Sequence, residues 1–273
     1  MKHKKELREF LEKKVLEYNH PDFIMSDPIS VPHRYSKKQD IEIAGLFAAI
    51  FSWGNRTTII RKSNELMRAL DDAPYDFIQH HHSADLKKLT NFKHRTFNAT
   101  DLLYFIHFLQ NHYQLSDSLE TAFLPPSKRS AEKNQSRLLT GDRVENEWVK
   151  NALSVFSARF FSLDNAPRRT RKHISSPEKN STCKRLNMYL RWMVRNDKQG
   201  VDFGIWKKIS PADLICPVDL HVARVARGFG LISRRQTDWQ TAMELTMALR
   251  LMDPIDPVKY DFALFGLGVT EKY

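Results

Sequence analysis

Apolar positions recur at helical spacing along most of the chain, and the strict alternation of a half-buried strand is hard to find. Leu7, Phe10, Leu11 and Val15 form one amphipathic face near the start. Pro21, Asp27-Pro28 and Pro32 then mark a loop. From Ile41 to Phe51 nearly every residue is apolar, which predicts a helix buried on all sides at the centre of a core. That helix runs into Trp53-Gly54-Asn55-Arg56, where the glycine predicts a break. A second helix carries Ile59, Ile60, Leu66, Met67 and Leu70 and ends before Pro74.

Thr100 and Asp101 read as the cap of a helix bearing Leu102, Phe105, Ile106, Phe108, Leu109 and Tyr113. Trp148 to Phe161 is helical again. In the last third, Ser210-Pro211 and Asp256-Pro257 each read as a cap followed by proline at the first helical position. Thr237 and Gln240 fit a capping box ahead of Ala242, Leu245 and Leu249. The expected class is all-α, with about ten helices at typical helix and loop lengths. Residues 125–147 and 164–180 are polar and charged and are expected as exposed loops; the second carries Arg168, Arg169, Arg171, Lys172 and Lys179.

Composition narrows the function classes. The chain has 273 residues, 41% of them hydrophobic, which is ample for a buried core in one unit. Its formal net charge of +11 favours a polyanionic partner through attraction and counterion release. Charge alone does not separate nucleic acid from an acidic membrane surface, but no apolar run approaches a membrane span, so no membrane partner is expected. The two cysteines, Cys183 and Cys216, imply no disulfide framework and cannot supply a four-cysteine zinc or iron–sulfur site. With a charged N-terminus lacking an apolar signal core, they place the expected compartment in the cytoplasm. His80-His81-His82 does not read as a metal site, because adjacent side chains point in different directions and no ligand partner has suitable spacing.

Two segments carry candidate chemistry. In Cys216-Pro217-Val218-Asp219-Leu220-His221, the proline stops any preceding helix and helical spacing follows, so Asp219 sits at a helix N-terminus. Locally it reads as an N-cap. Upstream, Lys184 and Arg185 open a stretch in which Leu186, Tyr189, Leu190 and Met193 form an apolar helical face and basic residues occupy the others. Locally that reads as a solvated basic face.

The run from Val218 through His221 to Gly230-Leu231 resembles the signature of the helix-hairpin-helix DNA glycosylase superfamily. Residues 181–195, with Gly200 to Trp206, are similar to an uncharacterised bacterial family (DUF2400-like) related to archaeal 8-oxoguanine DNA glycosylases. The similarity extends to Asp27–Arg34, Ala49–Arg56, Phe92–Phe97 and Asp256–Phe265.

The resemblance implies a single glycosylase-like unit over 1–273, with two helical subdomains flanking a DNA-binding cleft. One is a helical barrel at 41–160; the other is 181–273 together with 1–40. It implies Lys184 as amine nucleophile and Asp219 as catalytic carboxylate. Trp53, Asn55 and Arg56 fall at a helix end that faces DNA in the superfamily, though core packing is an even alternative for Trp53. Arg168, Arg169, Arg185, Arg191 and His221 become candidate DNA- or base-binding residues.

The expected activity is excision of a damaged base, an oxidised purine being the candidate lesion, with strand cleavage by lyase chemistry. The expected partner is double-stranded DNA, met by a monomer with no cofactor and no metal. A non-catalytic nucleic-acid-binding module and a monofunctional glycosylase are the alternatives. The chain departs from the superfamily pattern in two ways: Ile174 to Ser181 holds no glycine where a glycine-rich hairpin is usual, and Lys184 and Asp219 lie further apart than in endonuclease-III-like enzymes.

Overall fold

The computed structural model describes residues 2–125, 147–271 and 273. Thirteen α-helices run through the described residues: α1 (Lys2–Tyr18), α2 (Asp22–Met25), α3 (Lys38–Phe51), α4 (Arg56–Ala69), α5 (Pro74–His80), α6 (Ser83–Lys88), α7 (Ala99–Leu115), α8 (Glu120–Phe123), α9 (Glu147–Phe160), α10 (Lys184–Val194), α11 (Leu220–Gly228), α12 (Trp239–Arg250) and α13 (Tyr260–Val269). The all-α class expected from spacing is the one found. One feature departs from it: a hairpin of two-residue strands, β1 (Lys93–His94) and β2 (Phe97–Asn98), paired antiparallel. All but the end residues of the first expected loop, 125–147, lie outside the described residues. Among the described residues no helix is long and apolar enough to cross a membrane.

Helix α3 is the axis, and every residue from Ile41 to Phe51 is buried. It packs against α4, α5, α10 and the 3-10 turns at Pro28–Ser30 and Pro32–Arg34. Gly45 lets α10 approach closely: a Cβ there would stand 2.8 Å from Met193 Cε and 3.2 Å from Tyr189 Cε2. The apolar run also hides a carboxylate. Glu42 is fully buried and accepts hydrogen bonds from Tyr113 Oη, Ser118 Oγ, Leu119 N and Trp206 Nε1 at 2.6–3.0 Å. Burial pushes its carboxyl up while those donors hold it down, so Glu42 ties α3, α7, the turn before α8 and the 201–206 segment into one node.

Two caps fall on other residues than expected. Helix α7 is capped by Asn98, whose Oδ1 accepts from Thr100 N and Asp101 N, and Asp101 closes the box back onto Asn98 N. Helix α12 is capped by Asp238, which accepts from Thr241 N. In both cases the residue one or two positions from the expected cap has the extended backbone that a cap requires.

The 164–180 stretch is less exposed than its charges suggest. Thr170, His173, Ile174 and Ser176 are buried, because Asp101 draws the segment inward. That carboxylate accepts from Thr170 Oγ1 at 2.7 Å and pairs with Arg169 and His173.

Candidate active-site cleft

Three helices begin on one cleft. Arg56, Lys184 and Leu220 are the first residues of α4, α10 and α11, and all three line a cavity of about 830 Å³. The dipoles of helix N-termini favour negative charge; at α11 Asp219 already supplies it and at α4 Asn55 caps, while α10 has no side-chain cap. The end of α3 supplies Ser52 and Trp53, and the turn after α2 supplies Asp27 and Pro28. Asp261 and Phe265 enter from α13.

Lys184 and Asp219 meet here. Lys184 Nζ lies 3.4 Å from Asp219 Oδ2, with the side chains 26% and 22% exposed, so the pair is shielded yet reachable. The other carboxylate oxygen of Asp219, Oδ1, accepts from His221 N at 2.9 Å and Val222 N at 3.0 Å. The cap reading of Asp219 therefore holds, and Oδ2 is left to face Lys184. Pro217 and the buried Val218 fix the entry to α11.

The approach to Lys184 is built without glycine. Ser176 caps a 3-10 turn at Pro177–Lys179, so a 3-10 turn and not an α-helix leads into the segment before Lys184. Asn180 and Cys183 then adopt left-handed backbone angles, φ 55° and 51°. Asn180 is tied down by its side-chain N–H to Asp238 and by its carbonyl, which accepts from Trp239 N. Cys183 has no side-chain capping bond to α10.

The remaining expected residues divide sharply. Trp53, Arg56, Arg185, Arg191 and His221 line the cleft with Lys184 and Asp219; Asn55, Arg168 and Arg169 do not. Asn55 caps α4 through Thr58 N. Arg169 is held by Asp101, Asn98 Oδ1 and Thr96 O, so it anchors its own loop. Arg168 is exposed outside the cleft.

Arg191, expected among the DNA-binding residues, is built into the cleft wall. It is 4% exposed, donates to Asp202 and Asp261, and stacks on Phe262 at 4.2 Å. Burial disfavours its charge, but the flanking carboxylates hold its pKa above the usual value. It is a structural cation in the wall. Arg185 is fixed differently: it donates to the Ile50 carbonyl at the end of α3, at 2.7 Å, and burial pulls its pKa down.

Two acidic residues went unassigned at the sequence level. Asp27 is buried and caps the 3-10 turn through Ile29 N; burial raises its pKa against the pull of Ile29, Arg56, Arg191 and Lys184. Asp261 is pushed up to about 6 by burial, with Arg191 opposing and Asp219 reinforcing. The only sequence signal for either was its place in a run shared with the bacterial family. Among the described residues no group of histidine, cysteine and carboxylate side chains could hold a metal ion.

Fold and cleft together define a mostly helical protein with a cleft of mixed charge in which a lysine and a carboxylate converge. The chain belongs to the family described as protein of unknown function (DUF2400), which matches residues 27–270. No curated protein and no solved structure matches it.

Proposed function

We propose that this protein is a DNA glycosylase with associated lyase activity, built as two helical subdomains around a DNA-binding cleft. The carrying observation is the Lys184–Asp219 pair, 3.4 Å apart in a cleft on which three helix N-termini converge. Excision on this reading begins with a nucleotide rotated out of the duplex into the cleft. As the damaged base leaves, C1′ gains positive charge, and Asp219 Oδ2 stabilises it. The Lys184 amine, once deprotonated, attacks C1′ and forms a Schiff base, from which β-elimination cuts the strand. Arg56, Arg185 and the helix N-termini receive the phosphates. The substrate is duplex DNA with a damaged base, an oxidised purine being the first candidate. The protein acts on it as a monomer in the cytoplasm, without a cofactor.

The ion pair itself favours a second reading, in which Lys184 stays an ammonium that grips phosphate and Asp219 activates water. Borohydride trapping on abasic-site and 8-oxoguanine duplexes separates the two. The lyase reading expects a covalent adduct that disappears in Lys184→Gln, with DNA binding kept. Base release should be lost in Asp219→Asn, which keeps an acceptor for the α11 cap. Base release without an adduct means the monofunctional enzyme. Binding with neither overturns the enzyme reading.

A further inference from the structure

The β1–β2 hairpin is a small feature aimed at the lip of the cleft. Arg95 and Thr96 form its two-residue turn between the paired His94 and Phe97. Arg95 sits there at φ 55°, a left-handed conformation that glycine or asparagine adopts far more cheaply. The turn is fastened on three sides. His94 Nε2 meets the Phe51 carbonyl at 3.1 Å, Arg169 donates to the Thr96 carbonyl at 3.0 Å, and Phe97 is buried against Phe51 at 5.0 Å. A rigid mount therefore presents one exposed arginine.

Its guanidinium lies over the Trp53 ring, 4.4 Å from the centroid. Gly54 makes the room: a Cβ there would stand 2.2 Å from Arg95 Nη1. Trp53 and Gly54 both line the cleft. Arg95 forms no salt bridge among the described residues, so its charge is left for a ligand.

We propose that Arg95 and Trp53 form a cationic stacking plate that receives the nucleobases left beside the nucleotide drawn into the cleft. The inference rests on the reading of this cleft as a DNA site, but not on the lysine chemistry. A planar cation backed by an indole suits a base whose stacking partner has gone, because every base offers a π-face and the guanidinium adds attraction without sequence preference. A lysine would supply the charge but not the plane.

The test is the ratio of affinities for an abasic-site duplex and the intact duplex of the same sequence, measured by fluorescence anisotropy. A 2-aminopurine placed next to the abasic site reports stacking. Arg95→Gly suits the left-handed turn, so the hairpin keeps its shape. It is expected to lower the ratio about tenfold, in line with the loss of one stacked base, and to abolish the 2-aminopurine response. Arg95→Lys is expected to resemble Arg95→Gly.

A ratio unchanged in Arg95→Gly, a lysine variant equal to wild type, or a wild type with no preference for the abasic duplex each overturns the plate. Trapping through Lys184 is scored separately on the same proteins. An Arg95-dependent preference without trapping sinks the lyase and leaves the plate, while trapping with an unchanged ratio does the reverse.

Discussion

Asp261 shows how one buried carboxyl registers its surroundings. Its pKa, raised to about 6 by burial, means the folded protein holds a proton there that the unfolded chain releases near 4. The stabilising contribution is thus complete below the unfolded value and fades as pH rises through about 6. Asp261→Asn is permanently neutral. Its melting temperature relative to wild type should therefore climb between about pH 4 and about pH 6 and be flat below and above that window. A difference that does not change with pH would mean that the Asp261 carboxyl has the same pKa folded and unfolded. Residues of this kind were illegible in the sequence. Asp27, Glu42 and Asp261 look like ordinary surface acids until the fold closes around them, and Arg169 and Arg191 look like free cations until their carboxylates are found. Spacing and Pro217 made the helix starts at Lys184 and Asp219 legible, but locally they read only as a basic face and a cap; that the two belong together was an expectation of the resemblance alone.

Among elements, the long helices could be read from their apolar spacing, α3 most clearly, since a run without a polar face has nowhere to lie but the interior. The short ones, α2, α5, α6 and α8, escaped because four to seven residues hold too few turns for a period to show. The packing of α1 on α13 was equally hidden. Gly266 is its tightest point, where a Cβ would stand 2.3 Å from the Tyr18 ring. Tyr18 cannot swing away freely, because its hydroxyl donates to Glu271 at 2.6 Å, a carboxylate that also pairs with Lys14. Gly266→Ala should therefore destabilise the protein by about 1–3 kcal/mol in urea unfolding, the usual cost of overpacking. A neutral result would show that the helices can shift apart without loss.

For the whole molecule, the decisive property is the +11 charge and where it can act. Several arginines are consumed internally, so the net charge overstates the cations a polyanion could meet. If duplex DNA is the ligand, the logarithm of its binding constant should fall linearly with the logarithm of salt concentration, by about 0.9 per phosphate neutralised. A slope of several units is expected, reduced by about one in Lys184→Gln if that ammonium touches a phosphate. Binding that ignores salt would remove DNA as the partner.

The pairing of α1 with α13 also bears on the order in which the molecule can be made. Residues 2–18 leave the ribosome long before residues 260–269, which form the helix they pack on. Until then the opening helix must wait with its apolar face open to whatever is nearby. Closure joins segments some 240 residues apart, so it is the slow, late kind of contact. The family match begins at residue 27, after this helix. Closure of α1 on α13 thus waits for the far end of the chain, and nascent chains stalled short of α13 are the ones a chaperone should hold longest.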